Sequence, residues 1–233
     1  MAAGGQGAPL VPAFHAAFFN SHSAERVILN IGGIANITCL PTGNREAVSG
    51  FATGPGNTLL DGWAGKWLGK PFDESGVWAA AGQVKQDLLA QMLKDPYLRR
   101  PPPKSTGPEY FNLEWLQQQL KGNSLDPQDI QATLTEFTAL SISQGIKKQA
   151  AACQRVIVCG GGVFDKHLMR RLQDSLQPVP VETSSRYGLD PGLVEATAFA
   201  WLAHRTMHRL AGNLPAVTGA SHPVVLGGIY PAA

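Results

Sequence analysis

The sequence lacks the features that would assign it to a secreted, membrane or redox class. Its three cysteines, Cys39, Cys153 and Cys159, follow no CxxC spacing, and no charged segment leading into an apolar stretch stands at its start. Every apolar stretch is interrupted before the roughly 18 residues that a membrane helix needs. These absences predict a protein of the reducing cytoplasm without a membrane span.

Long runs of one charge are also missing. Only 15% of the residues are charged, the formal net charge is +2, and lysine and arginine are scattered rather than grouped with aromatic residues. This pattern argues against nucleic acid as a partner and favours a small or uncharged ligand. Because 44% of the 233 residues are hydrophobic, the chain can form the core of one large domain or two small ones.

Glycine and proline are abundant, and they gather at short turns between regular patterns. Arg26 to Ile31 and Ile34 to Leu40 have the composition of two strands joined by Gly32-Gly33, and a third strand is predicted from Glu46 to Ala52. Later strands are predicted at Arg155–Cys159 and Val179–Glu182, and helices at Pro12–Phe19, Leu59–Leu68, Gln83–Lys94, Asn112–Lys121, Asp126–Ala150, Asp165–Leu176 and Pro191–Leu210. This order predicts an α/β fold in which a mixed β-sheet carries helices on both faces.

The first candidate site is the glycine turn between the first two strands. Gly32 and Gly33 allow backbone N–H groups to approach an anion closely, and the flanking amides of Asn30 and Asn36 add hydrogen-bond donors without adding charge. The spacing by itself favours a plain hairpin in a buried sheet. Anion binding remains open as the alternative interpretation.

The second candidate site is the triple glycine Gly160-Gly161-Gly162, where a buried strand ends and a helix follows. Such a junction offers free N–H groups and a helix dipole to phosphate, or a flat slot to a nucleoside. The sequence contains neither GxGxxG nor GxxxxGK[ST] here, so the usual dinucleotide and P-loop interpretations lose support. The motif is therefore either a tight turn or a ligand loop.

The third candidate site is the Gly54-Pro55-Gly56-Asn57 turn, which precedes a helix. Asp61 lies three residues after Thr58, and that spacing predicts a capping box rather than a catalytic carboxylate. Glu195, near the start of the last helix, is either a ligand contact or a partner of the helix dipole.

Two histidines of the last predicted helix are candidate metal ligands. His204 and His208 stand four residues apart, but no third ligand is spaced nearby, so we predict surface or interface residues and no metal site.

Motifs of one family recur along almost the entire chain. They are Gly4-Gly5-Gln6-Gly7-Ala8-Pro9-Leu10-Val11-Pro12, Leu29–Asn36, Gly54-Pro55-Gly56-Asn57, Pro103-Lys104-Ser105-Thr106-Gly107, Gly160-Gly161-Gly162, Ala198-Phe199-Ala200-Trp201-Leu202-Ala203, Gly212-Asn213-Leu214-Pro215 and Leu226-Gly227-Gly228-Ile229-Tyr230-Pro231. Together these segments resemble the anhydro-N-acetylmuramic acid kinases. The resemblance implies a ribonuclease H-like lobe of the actin-like ATPase and sugar-kinase superfamily.

The resemblance also implies an activity in peptidoglycan recycling. A kinase of this family uses ATP and Mg²⁺, adds water across the 1,6-anhydro bond of anhydro-N-acetylmuramic acid, and phosphorylates the freed 6-hydroxyl to N-acetylmuramic acid 6-phosphate. By resemblance, the Leu29–Asn36 hairpin binds phosphate and the triple glycine binds adenosine. Gly54, Gly56, Asn57 and Glu195 would contact the amino sugar, and the chain would form a homodimer.

Two departures from the family pattern bear on catalysis. The family begins with a lobe that carries a Met-Ser-Gly-Thr-Ser-Leu-Asp-Gly phosphate loop and a His-Gly-Gln-Thr segment, and neither occurs in this sequence. We therefore expect that the first lobe is missing and that Met1 is a new start within a longer family sequence. The family's general base is an aspartate at the end of the third strand, where this chain has Ala52.

These departures predict that the chain is inactive by itself, although it resembles an ATP-dependent sugar kinase. The alternative is a non-catalytic pseudoenzyme or a truncated ligand-binding lobe. A relic without independent function would expose an apolar half-cleft and tend to associate. We assign residues 1–212 to the second lobe, and residues 213–233 to a segment that would pack on the first lobe.

Overall fold

The computed structural model describes residues 2–5, 7, 9–43, 47–122 and 124–230 of the chain. A single five-stranded sheet forms the centre of this part. Its strands are β1 (Arg26–Ile31), β2 (Ile34–Leu40), β3 (Ser49–Pro55), β4 (Arg155–Cys159) and β5 (Val181–Thr183). The spatial order is β3-β2-β1-β4-β5; β1, β2 and β3 are antiparallel neighbours, whereas β4 and β5 continue parallel to β1.

Helices cover both faces of the sheet. The α-helices described are α1 (Val11–Phe19), α2 (Thr58–Leu68), α3 (Val77–Ala81), α4 (Gln86–Met92), α5 (Pro96–Arg99), α6 (Leu113–Leu120), α7 (Pro127–Gln149), α8 (Lys166–Leu176), α9 (Val194–Met207) and α10 (Pro215–Thr218). Short 3₁₀ turns lie at Glu74–Gly76, Gly161–Phe164 and Ser184–Tyr187. In the described ranges, no helix is both long and apolar enough to span a membrane.

The two hydrophobic layers follow from the alternation of side chains along the central strands. Leu29 of β1 belongs to the layer beneath the long helix α7, where it is buried in one cluster with Phe137. Its neighbour Ile28 points to the other face and belongs to the cluster with Phe14 of α1 and Ala198 of α9. Because successive strand residues face opposite ways, a strand covered on both faces must be apolar throughout.

Most of the predicted elements are confirmed, and the differences have local causes. The helix predicted from Asp165 begins one residue later, because Asp165 is its N-cap and accepts a hydrogen bond from the N–H of Leu168 at 2.9 Å. The helix predicted from Pro191 begins at Val194, because the Asp190 side chain binds the N–H of Gly192 and forms a turn there.

The third strand lies later in the chain than its prediction. It spans Ser49–Pro55 rather than Glu46 to Ala52, and Glu46 lies outside the described residues. Glycine at positions 50 and 54 lowers strand propensity, which hides the second half of this strand from a pattern search.

The C-terminal segment packs on the start of the chain. The Asn213 side chain accepts a hydrogen bond from the N–H of Val224 at 2.7 Å, and the N–H of Ser221 donates to the carbonyl of Ala3 at 2.9 Å. Val217 of α10 is buried in the same cluster as α1. Whether residues 213–233 also pack on a further lobe stays a prediction.

A backbone clasp joins the β1–β2 turn to the β3–α2 turn. The N–H groups of Gly56 and Thr58 donate to the carbonyl of Gly33 at 2.9 and 3.1 Å, and the N–H of Asn57 donates to the carbonyl of Gly32 at 2.8 Å. A Cβ at position 56 would overlap the Gly32 carbonyl oxygen, so only glycine allows the two turns to approach this closely.

We expect the substitution Gly56→Ala to lower the free energy of unfolding by about 2–4 kcal/mol, because the turns must separate and their shared hydrogen bonds weaken. The matched control is Gly65→Ala within α2, where a Cβ would lie 3.7 Å from the Lys70 carbonyl oxygen. This control should stabilise the protein by about 0.5–1 kcal/mol through helix propensity. Urea unfolding measures both effects, and equal stability of the two variants would contradict the clasp.

Candidate functional site

The residues singled out in the sequence lie around three cavities at the turns that follow β1, β3 and β4. We name them the glycine cavity, the acidic cavity and the Ala52 cavity. Their volumes are about 180, 240 and 310 Å³ respectively. Gly161 lines both the glycine cavity and the acidic cavity, so the triple glycine stands between the two.

The glycine cavity brings together residues from both predicted nucleotide turns. Its lining includes Asn30, Gly32, Gly160, Gly161 and Glu195. Asn30 and Gly160 meet because β1 and β4 are parallel neighbours whose carboxyl ends lie at the same edge of the sheet. Sequence analysis alone could not pair Glu195 with these turns, because α9 is far away in the chain.

The glycines of the first turn leave backbone donors available. The carbonyls of Gly32 and Gly33 accept the clasp bonds, whereas in the part of the chain that the structure describes no protein group accepts a hydrogen bond from their N–H groups. Exposed N–H groups at a turn are a common means of binding an anion. Gly33 itself lies in the clasp and lines none of the three cavities.

His15 of α1 also lines the glycine cavity, and sequence analysis missed it. Its Nδ1 lies 2.9 Å from the Thr38 hydroxyl oxygen, and burial lowers its pKa to about 3, so the imidazole is neutral at physiological pH. The nearby Cys159 thiol is kept protonated as well, because burial and then the charge of Glu195 raise its pKa to about 12.

The first and third glycines of the triple glycine are close to other groups. Gly160 has a positive φ of 85°, and a Cβ there would overlap the Asn30 side-chain oxygen. At Gly162 a Cβ would overlap the side chain of Ile31, whereas at Gly161 it would meet only Asn57 Nδ2 at 3.6 Å. Gly161 is thus the one of the three where a side chain fits without displacing the backbone.

The acidic cavity contains three carboxylates that are far apart in the sequence. Asp61, Asp73 and Asp165 line it, together with Asn57 and both Gly161 and Gly162. Burial, followed by the charge of Asp165, raises the pKa of Asp61 to about 6. Burial also raises the pKa of Asp165, and the charge of Asp73 adds to this effect.

The predicted capping box at the start of α2 is wrong. Asn57 is the N-cap residue, its side chain makes no capping hydrogen bond, and Thr58 is the first residue of the helix. The N–H of Asp61 donates to the Asn57 carbonyl at 2.7 Å as an ordinary helical bond. The Asp61 side chain is therefore free to line the acidic cavity.

The Ala52 cavity lies on the β3 side of the sheet. It is lined by Ala52 and Asn36 together with Arg100, Lys104 and Ser105 of the loop after α5. Ala52 is 2% exposed, and its backbone is held on both sides. Its N–H donates to the Lys104 carbonyl at 3.2 Å, and the Tyr97 hydroxyl donates to the Ala52 carbonyl at 2.7 Å.

Lys104 and Arg100 line the Ala52 cavity, and the sequence analysis did not name them as site residues. The Lys104 ammonium donates to the carbonyls of Tyr97 and Leu98 at 3.1 and 3.3 Å and lies 4.6 Å from the centre of the Tyr97 ring. The available signal was the Pro103 to Gly107 motif, which places a lysine in a proline-rich loop.

The remaining predicted site residues stand apart from these cavities. Gly56 lies in the clasp, and Gly54 packs against α7, where a Cβ would meet the Ser141 hydroxyl at 3.2 Å. The rings of His204 and His208 are 4.3 Å apart on α9. Within the described ranges, no group of three or more potential metal ligands comes together.

Comparison with known proteins places these features in one family. The sequence matches the family described as Anhydro-N-acetylmuramic acid kinase over residues 1–232. It is 50% identical over 230 residues to the protein of that name from Coxiella burnetii and 51% identical over 234 residues to that from Cupriavidus pinatubonensis. Each alignment covers 99% of this chain, whereas the chain spans 62% of either relative's length.

A solved structure supports the fold assignment. Xylulose kinase from Rhodospirillum rubrum superposes with a TM-score of 0.52 at 18% identity, covering 82% of this chain and 39% of that chain. At this level of identity the likeness concerns the fold alone. It confirms the predicted α/β fold with a mixed sheet covered by helices.

We expect the substitution Asp61→Asn to stabilise the protein in a pH-dependent way. Since the folded pKa of Asp61 is raised to about 6, its ionised form opposes folding, and stability is lost as pH rises through that value. The variant should raise the melting temperature by roughly 2–4 °C at about pH 7.5 and by less at about pH 4.5. Asp87→Asn, an exposed change on α4, is the control for calorimetry at both pH values. An equal increase in melting temperature at both pH values would contradict the raised pKa of Asp61.

Proposed function

The chain belongs to the anhydro-N-acetylmuramic acid kinase family, and from that premise we propose that it is the second lobe of such a kinase and is inactive by itself. The complete reaction is the ATP-dependent conversion of anhydro-N-acetylmuramic acid into N-acetylmuramic acid 6-phosphate in the cytoplasm. In this reaction the 1,6-anhydro bond is hydrolysed and the freed hydroxyl is phosphorylated. Residues 1–212 would form the lobe, and residues 213–233 would form a C-terminal segment that packs on the first lobe.

The observation that carries this proposal is Ala52 in the wall of its cavity. A methyl group cannot take a proton from water, and loss of a positioned general base costs about 10²- to 10⁴-fold in rate. Asp61 is the next carboxylate along the chain after Ala52, but it lines the acidic cavity and not the Ala52 cavity. Among the residues that the structure describes, no side chain of the Ala52 cavity is a carboxylate that could replace the base.

The charge of the Ala52 cavity supports an acidic sugar as its ligand. Arg100 and Lys104 line it, and no aspartate or glutamate does. A muramic acid derivative carries one carboxylate, which a guanidinium or ammonium group can bind. Gly54, Gly56, Asn57 and Glu195 remain proposed sugar contacts, although they lie outside this cavity.

The other two cavities support a divided nucleotide site. The acidic cavity combines the apolar side chains of Leu60, Phe72 and Phe164 with carboxylates that would repel a polyphosphate, so a nucleoside suits it better. The N–H groups of Gly32 and Gly33 suit phosphate oxygens. Because Mg²⁺ commonly binds through substrate phosphates and few protein groups, it would enter with ATP.

A non-catalytic binding lobe is the second candidate function, and Ala52 favours it directly. In that case the chain would keep its nucleotide and sugar surfaces without turnover. It would be a pseudoenzyme, either alone or as one half of a homodimer. Ligand binding and turnover must therefore be measured separately.

We expect the substitution Gly161→Leu to weaken the binding of a non-hydrolysable ATP analogue by at least about tenfold, because a large side chain here enters the acidic cavity. Gly161→Ala is the matched control: its Cβ has room, so it should bind nearly as the parent chain does. Isothermal titration with Mg²⁺ present measures the affinities. Binding unchanged in Gly161→Leu, or absent in the parent chain, would contradict the proposed nucleotide site.

We also expect that Ala52→Asp does not create sugar phosphorylation in this chain, because one carboxylate cannot supply the phosphate loop that the sequence lacks. Phosphate transfer from labelled ATP to anhydro-N-acetylmuramic acid is measured for the parent and the variant, with the full-length Coxiella burnetii relative as positive control. Appreciable turnover by Ala52→Asp would show that this lobe suffices and overturn the expected inactivity.

A further inference from the structure

We propose that a basic pocket beside the Ala52 cavity binds a small phosphate-bearing anion. The pocket has a volume of about 220 Å³ and lies between β3, the end of α5 and the last turns of α7. Four cationic side chains line it: Arg99, Arg100, Lys104 and Lys148. Arg100 and Lys104 also line the Ala52 cavity, whereas Arg99 and Lys148 have no role in the proposed reaction.

The charge in the basic pocket is not balanced by the protein. No aspartate or glutamate lines it, and in the described part of the chain none of its four cations lies within 4.0 Å of a carboxylate. The cations also act on one another: burial first, then the charges of Lys148 and Arg100, lower the pKa of Lys104. An anion in the pocket would remove this repulsion.

The pocket walls are held in place by contacts within the protein. The Lys104 ammonium is anchored on two carbonyl groups, and Arg100 lies 5.8 Å from the centre of the Tyr97 ring. The floor forms because Gly145 lets α7 approach β3; a Cβ there would lie 2.8 Å from the Thr53 methyl group. Such fixed walls lower the cost of binding a small ligand.

The ligand class follows from the number and type of the cations. Two guanidinium and two ammonium groups match the several oxygens and double charge of phosphate better than a single carboxylate. Inorganic phosphate and the phosphate group of a sugar phosphate share this chemistry. The inference does not depend on the proposed kinase function, since it rests on the charge of the pocket, to which Arg99 and Lys148 contribute from outside the Ala52 cavity.

The test is titration of the chain with inorganic phosphate at low ionic strength. Binding is measured by isothermal titration calorimetry and by changes in the amide NMR chemical shifts. We expect saturable binding that Lys148→Gln weakens about two- to fivefold, which is the effect of one partly exposed charge. The matched control is Lys147→Gln, which removes an exposed charge from the same last turn of α7 but not from the pocket. It should leave the affinity unchanged.

Two further arms complete the experiment. Arg99→Gln should weaken phosphate binding from the α5 side of the pocket. Titration with glucose 6-phosphate distinguishes the two possible ligands. Binding comparable to that of inorganic phosphate indicates a phosphate monoester as the ligand, and weaker binding indicates free phosphate. Absence of saturable binding to the parent chain, or an equal loss in Lys147→Gln and Lys148→Gln, would overturn the proposal.

Discussion

The clasp between two glycine turns is the constraint on which the site depends. The carbonyls of Gly32 and Gly33 accept hydrogen bonds from the β3–α2 turn, while their N–H groups have no protein acceptor in the described part of the chain. The same bonds fix where α2 begins and hold Asn57 beside the triple glycine, where a Cβ on Gly162 would meet its side-chain oxygen at 3.1 Å. Glycine at position 56 is required because the two backbones approach too closely for any side chain.

The cavities around the clasp differ in charge, and this difference separates their possible ligands. Asp61, Asp73 and Asp165 make one cavity acidic, whereas Arg100 and Lys104 make the Ala52 cavity basic. Cavities of opposite charge favour different ligands: an uncharged group suits the acidic cavity, and an anion suits the basic one. Under the proposed function, a nucleoside and an acidic sugar would therefore bind in different parts of one lobe.

The predictions from sequence were best where a short pattern decides the structure. The strand from Arg155 to Cys159 was predicted with the observed bounds, and Asp126 was correctly identified as the N-cap of α7. The predictions were weaker where tertiary contacts override the local structural preference of the residues, as in β3. The four-residue helix α10 was not predicted, because a single turn that begins at Pro215 has no periodicity to detect.

The sequence by itself determined the order of strands and helices, the position of the glycine turns and the family resemblance, because each depends on neighbouring residues. Only the tertiary structure decided which distant side chains share a cavity. Burial and then the charge of Asp165 raise the pKa of Asp61, and the basic pocket brings Lys148 and Arg100 together. Burial and Coulomb interaction depend on distance in space rather than separation along the chain, so no local pattern contains them.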